Sequence, residues 1–169
     1  MTSAVQRVAI VGTDASAWLS AAALKRAFRH RNLDVIVLDI GRSDTQLAMW
    51  TLPSLRGLHG LIGIREPDLI QRTGATFKLA SEHRDWQGEG SCFLHAHGEI
   101  GSALNGTPFY KYLLLRRICG GLERAEDYSL AAVAARTRRF ARPTAHNELT
   151  SSFNYGLHLD AAEYSAYLC

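Results

Sequence analysis

Arg7-Val8-Ala9-Ile10-Val11-Gly12-Thr13-Asp14-Ala15-Ser16-Ala17-Trp18 is the stretch that decides the fold. A short apolar run ends in a glycine and gives way at once to an alanine-rich segment. Such a run, bounded by a turn residue, reads as a buried strand over Arg7 to Val11. From Ala15 to His30 the residues Trp18, Ala21, Ala22, Lys25 and Phe28 fall at three-to-four spacing, and alanine is the best helix former, so a helix is predicted. Asn32 suits its stop, and Asp34 to Asp39 reads as a second strand. Strand, crossover helix and strand in this order make a right-handed parallel βαβ unit over residues 5–40. Its turn occupies the place where dinucleotide-binding folds keep Gly-x-Gly-x-x-Gly, with an acid, Asp39, about 20 residues further on for a ribose. Only the first glycine is present; Asp14 and Ala17 stand in the other two places.

Asp14 has two readings. A carboxylate there repels a pyrophosphate, which otherwise approaches a bare backbone at the helix N-terminus. The same side chain is also a favoured helix N-cap. Repulsion of this kind harms every pyrophosphate alike and disfavours a free-standing NAD-type domain.

Beyond Asp39 the pattern changes. Residues 41–52 read as a polar, strap-like loop. Pro53 then suits the first turn of a helix whose apolar face is Leu52, Leu55, Leu58, Leu61 and Ile62, stopped by Gly63. Glu66-Pro67-Asp68 opens another short helix. Residues 75–96 form a hairpin region: one extended strand from Ala75 to Trp86, with Phe77, Leu79 and Ser81 on one face and Thr76, Lys78 and Ala80 on the other. A glycine-rich turn over Gln87 to Gly90 leads back into Ser91 to His95. The remainder, 108–169, is expected to be mainly helical, over Tyr110 to Ile118, Leu130 to Phe140 and Ala161 to Leu168. The whole reads as one domain, 1–169.

Composition excludes several classes. The chain has 169 residues, 47% of them hydrophobic and 21% charged, as in ordinary globular proteins. No apolar run approaches the roughly 20 residues that span a bilayer, so no membrane association is expected. The N-terminus lacks the pattern of a signal peptide. Cys92, Cys119 and Cys169 are widely spaced and unpaired in pattern, which points to a reducing, cytoplasmic setting. The basic run Arg136 to Arg142 reads as a solvated face, and nucleic acid is not expected as a partner. His83, His95 and His97 lack a convergent carboxylate or cysteine set, so no metal site is expected. Ser151, Ser152 and His146 lack a nucleophile elbow, and Cys119 reads as a buried or helix-end thiol.

Five segments in order resemble the flavin-dependent tryptophan halogenases. They are the turn ending in Trp18; Thr51-Leu52-Pro53; Ala75-Thr76-Phe77-Lys78-Leu79 with Arg84-Asp85-Trp86; His95-Ala96-His97-Gly98; and Tyr155-Gly156-Leu157-His158-Leu159-Asp160-Ala161 with Tyr164 and Leu168. The family counterparts are a Gly-rich turn with Ala-Gly-Trp, a Gly-Glu-Ala-Thr-hydrophobic-Pro strap, a Thr-Phe-Lys strand ending in Asp-Trp, a His-Pro-Phe-Gly turn and a Tyr-x-x-His-hydrophobic-Asp-Ala helix start. The resemblance implies an α/β fold, a Rossmann-like FAD-binding module of the flavoprotein monooxygenase type. It is incomplete here, with a β-hairpin and C-terminal helices. It further implies reduced FAD supplied by a separate flavin reductase, a halide, an indole-like small molecule as acceptor, and Lys78 as the lysine that receives the oxidised halogen. Gly12, Thr13, Ser16, Ala17 and Asp39 would follow the adenosine diphosphate part of FAD, and Ala48, Met49 and Thr51 the strap against the flavin.

The chain departs from the family at Asp14 and Ala17, and at Met49 and Trp50, which replace the strap's Glu and Ala; Trp50 is expected to crowd a cofactor. The family's Trp-x-Trp-x-Ile-Pro motif, halide site and glutamate partner for the lysine have no counterpart in these residues. The resulting expectation is a halogenase-like protein that is inactive as this chain alone. The alternative is a non-catalytic pseudo-halogenase serving as a binding or assembly module, with a homodimer or a complementing chain covering its apolar faces.

Overall fold

The computed structural model describes residues 5–41, 48–142 and 153–169, and they fall into two compact units. The first unit joins the N-terminal part of the chain, through Thr76, to its last residues, from Leu157 onward. In it β1 (Arg7–Val11) and β2 (Asp34–Leu38) pair in parallel, Arg7 opposite Asp34 and Val11 opposite Leu38. The crossover helix α1 (Ala15–Ala27) packs on both strands. This is the α/β arrangement expected of residues 5–40, with one difference. The strands alternate between half-buried and exposed residues instead of lying buried throughout, because α1 covers only one face of the pair. Val11, Ile36 and Leu38 are left exposed.

The expected strap is not wholly a loop. Ala48–Trp50 forms a strand, β3, and its partner lies near the other end of the chain. Helix α2 (Pro53–Ile62) begins at the proline and stops at Gly63, which takes the left-handed conformation at φ 89°. Its inward face is not the leucine row read from the sequence. Leu52 and Leu61 are exposed and His59 is buried, so the helix turns Leu55, Leu58, His59 and Ile62 inward. Helix α3 (Glu66–Thr73) follows.

At β4 (Thr76–Lys78) the chain passes into the second unit, Phe77–Gly156. The long strand expected from Ala75 to Trp86 is broken at Leu79, and β5 (Ala80–Arg84) resumes beyond it. Strand β5 pairs antiparallel with β6 (Cys92–Ala96) in the expected hairpin, Arg84 opposite Cys92. Asp85 closes the turn at φ 58° by accepting the Gly90 N–H. Helix α4 (Phe109–Ile118), a 3-10 turn (Ala125–Tyr128) and α5 (Leu130–Arg136) complete this unit. Its core gathers Leu79, Ala131, Phe153 and Tyr155, with Phe77 and Phe140 stacked beside them at 3.8 Å.

The last residues are not all helical. β7 (Gly156–Asp160) runs antiparallel to β3, with Met49 opposite Leu159, before α6 (Ala161–Leu168) begins under an Asp160 cap. Buried α6 residue Tyr164, with Leu69, Leu157 and Leu159, forms the heart of the first unit. Among the described residues no helix is long and apolar enough to cross a membrane.

Candidate functional site

The turn after β1 is built around Asp14. Its Oδ1 accepts the backbone N–H of Ser16 at 3.1 Å and of Ala17 at 3.3 Å, and the Ser16 hydroxyl at 2.6 Å. This is an N-cap, and it supplies acceptors for the helix's orphan amides. The Ser16 hydroxyl above all holds the carboxyl below its usual range; burial opposes it, and the amides of Ala17 and Ser16 add to the lowering. These amides are the groups that a phosphate at a helix N-terminus uses. The turn therefore carries its own anion in the place of a ligand's.

Gly12 and Ala17 explain each other. A Cβ added to Gly12 would lie 3.0 Å from the Ala17 Cβ, so the first glycine lets the buried Ala17 pack beneath the turn. Gly12, Thr13, Ser16 and Ala17 line one open depression of about 380 Å³, together with Asp14 and Ile40. Asp39 stands beside Ile40, and its Oδ1 accepts the Gly41 N–H at 3.0 Å.

The strap residues lie elsewhere in the same unit. Ala48 faces Asp160 across the β3–β7 ladder. Met49 is half-buried, whereas Trp50 is exposed. Thr51 is buried and doubly tied: its N–H donates to the Leu157 carbonyl and its Oγ1 accepts the Leu157 N–H, both at 2.8 Å.

Lys78 belongs to the second unit and is only 6% exposed. A lysine on a surface strand ordinarily exposes much of its stem; this one is packed in, and burial pulls its pKa down. Beside it the hairpin ladder gains one further bond, from the His97 N–H to the Leu79 carbonyl at 2.8 Å. The His97 ring turns inward, and its Nε2 is buried with no hydrogen-bond partner among the described residues. Burial first, then the charge of Lys78 and the neighbouring His95, lowers the His97 pKa. His95 itself points to the exposed hairpin face near His83, the two rings 6.1 Å apart. His95 and His97 thus do not converge on one ligand. Among the described residues no group of three or more His, Cys, Asp or Glu side chains could hold a metal.

Other residues singled out in the sequence take structural places. Cys119 caps the C-terminus of α4 and is exposed. Arg136 pairs with Asp127 at 2.6 Å and with Glu126, so the basic run begins with a neutralised charge. His146, Ser151 and Ser152 lie outside the described residues. Sequence reasoning missed the buried contact between His59 on α2 and Tyr164 on α6, where Nε2 and the hydroxyl are 2.5 Å apart. It also missed buried Glu126, which accepts the Leu94 N–H and pairs with Arg124 and Arg136.

Comparison with known proteins agrees with this architecture. The tryptophan halogenase family profile matches residues 7–169. A tryptophan 6-halogenase, SttH of Streptomyces toxytricini, is 30% identical over 109 residues, which are 64% of this chain and 20% of that protein. The structure of BrvH, a flavin-dependent halogenase from Brevundimonas sp. BAL3, superposes with a TM-score of 0.85 at 34% identity, covering 98% of this chain and 32% of BrvH. A flavin-dependent halogenase from Xanthomonas campestris gives 0.81 at 29% identity, covering 97% and 32%. The chain thus spans about a third or less of the length of these relatives. With the βαβ unit, its turn and the five ordered segments, the profile match establishes that the chain belongs to the tryptophan halogenase family.

Proposed function

We propose that this chain carries the front of the FAD module of a flavin-dependent halogenase scaffold, an oxidoreductase of the monooxygenase type acting on an indole-like compound. We propose further that, as this chain alone, it does not turn over. One observation carries the second statement: Asp14 holds the Ser16 and Ala17 amides. FAD bound in the manner of a Gly-x-Gly-x-x-Gly turn would bring a pyrophosphate to those same amides. The turn as it stands does not fit that group, and like charges at short range oppose it. Gly12, Thr13, Ser16 and Ala17 are the residues proposed to meet the adenosine diphosphate part if the carboxylate is removed, with Asp39 at the ribose and Ala48, Met49 and Thr51 in the strap. Lys78 is proposed as the lysine that engages oxidised halogen. Its support is burial, which favours the neutral, nucleophilic amine over the solvated ammonium of an ordinary surface lysine. Reduced FAD from a flavin reductase, and a halide, are the partners of this reading.

The second reading is a non-catalytic binding or assembly module that needs another chain or a second copy. It is favoured by the uncovered face of β1 and β2, where Val11, Ile36 and Leu38 remain exposed, since parallel strands are ordinarily covered on both faces.

Titration of the purified chain with FAD and reduced FAD, alongside Asp14→Gly, tests the closed turn. Weak binding by the native chain and tighter binding by Asp14→Gly are expected. Micromolar binding by the native chain would sink the proposal, and no binding by either would show that Asp14 is not the limiting feature. Mass spectrometry for halogenated indole, with flavin reductase and halide present, is expected to find none from this chain alone.

A further inference from the structure

We propose that the end of the βαβ unit remote from the Asp14 turn binds a small aromatic carboxylate, its ring against Phe28 and its carboxylate on Arg31. A cavity of about 570 Å³ opens there between the start of β1, the last turn of α1 and the segment leading into β2. Sites for small molecules commonly measure about 300–1,000 Å³ and combine apolar walls with a few polar groups. This cavity has both. Val8, Leu24 and Leu33 line it half-buried, and Phe28 lines it with its ring exposed. Among the described residues Arg31 is the single charged group on its wall, and Arg31 makes no ion pair.

The backbone holds the cation and the ring in one arrangement. The Phe28 N–H donates to the Leu24 carbonyl at 2.9 Å, the Arg31 N–H to the Phe28 carbonyl at 2.8 Å, and the Leu33 N–H to the Arg31 carbonyl at 2.9 Å. The Lys25 ammonium ties α1 to the Leu33 carbonyl at 3.3 Å. Arg31 Cζ thus stands 6.0 Å from the centre of the Phe28 ring, close enough for both to meet one small molecule. The ligand chemistry follows from the charges. Asp34, the nearest carboxylate along the chain, pairs with Arg7, so the unpaired charges at this end are positive. An amine meets them as a like charge. An inorganic anion leaves the apolar wall uncovered, and a neutral hydrocarbon leaves Arg31 unused. An aromatic carboxylate stacks on the ring and accepts from the guanidinium. Neither Asp14 nor Lys78 lines this cavity, so the site needs no flavin and does not rest on the halogenase reading.

The test titrates 2-naphthoate into the native chain and follows the backbone amides by proton–nitrogen NMR. 2-Naphthalenemethanol and 2-naphthylmethylammonium are the neutral and cationic counterparts. Saturable shifts centred on Val8, Phe28, Arg31 and Leu33 are expected with naphthoate. The alcohol should bind about tenfold more weakly, the effect of losing one hydrogen bond between charged groups, and the ammonium more weakly still. Arg31 is exposed, so Arg31→Gln should fold as the native chain does. It should bring naphthoate down to the level of the alcohol and leave the alcohol unchanged, whereas Phe28→Ala should weaken both. The proposal is overturned if naphthoate does not bind, if it binds no better than the alcohol, or if its shifts gather elsewhere, at the Asp14 turn for example. It is also overturned if Arg31→Gln binds naphthoate as tightly as the native chain. The first three results come from the native chain and do not depend on any variant.

Discussion

Tyr164→Phe should cost the first unit far more than one hydroxyl on the surface would. The phenol is fully buried and its oxygen lies 2.5 Å from the Nε2 of His59, itself only 4% exposed. The rings meet edge to face at 5.7 Å. Deleting the oxygen leaves the ring packing nearly unchanged and strands a buried imidazole nitrogen. A typical solvated bond contributes about 0.5–1.5 kcal/mol, whereas an orphaned buried partner costs about 1–3 kcal/mol, so the loss should fall in the upper range. Urea unfolding followed by tryptophan fluorescence and far-ultraviolet circular dichroism at pH 7.5 measures it. His59→Leu in the same background removes the orphan, and the double variant should recover much of the loss, because replacing both partners by apolar groups is nearly neutral. The pH dependence has a defined sign. Burial lowers the His59 pKa below its ordinary 6.5, with Glu66 opposing. The unfolded chain therefore binds the extra proton first, and stability present above pH 6.5 is lost as the pH falls below it. His97 slopes the same way, so the share belonging to His59 is the difference between native and His59→Leu proteins. If Tyr164→Phe costs the same with and without His59, the two side chains are not coupled and the reasoning fails.

Three further outcomes are expected. Asp14→Ala should lower stability by about 1 kcal/mol and Asp14→Gly by only a few tenths, the ordinary ranking of N-caps; equal melting curves for the two would contradict the capping geometry. Thr51→Val keeps the shape but deprives the buried Leu157 N–H of its acceptor, at about 1–3 kcal/mol. Amide exchange at Leu157 should accelerate, and unchanged protection there would count against the assignment. Glu126→Gln removes the carboxylate that joins the Leu94 N–H to Arg124 and Arg136. A fully buried pair loses about 3–5 kcal/mol when broken, but both arginines here keep contact with water, so about 1–2 kcal/mol is expected in chemical denaturation.

Local features of this fold were legible and distant ones were not. The first two strands, the crossover helix, the Pro53 start, the Gly63 stop and the presence of the hairpin all follow from residues within a turn or two of each other. β3 and β7 escaped because each is short and the partner of each lies far along the chain; neither carries a periodic signal of its own. Lys78 was placed from the order of motifs, but its burial was not readable, because an alternating strand pattern gave no sign of the break at Leu79. His59 was hidden for a different reason. A leucine-rich helix suggests a leucine face, and only packing against α6 shows that a histidine lies within it. Asp14 was the opposite case, since the capping rule and the phosphate rule both act at that position, and the cap is the one the geometry displays.

The bond between Thr51 and Leu157 closes 106 residues of chain. One consequence concerns the order of events on the ribosome. β3 emerges early and has no strand to pair with until the second unit has been synthesised in full. Loop closure of that length costs only modestly more than closure of a shorter one, but it comes late. During translation the second unit can close its hairpin and helices first, while the unit that begins the chain is the last to finish folding.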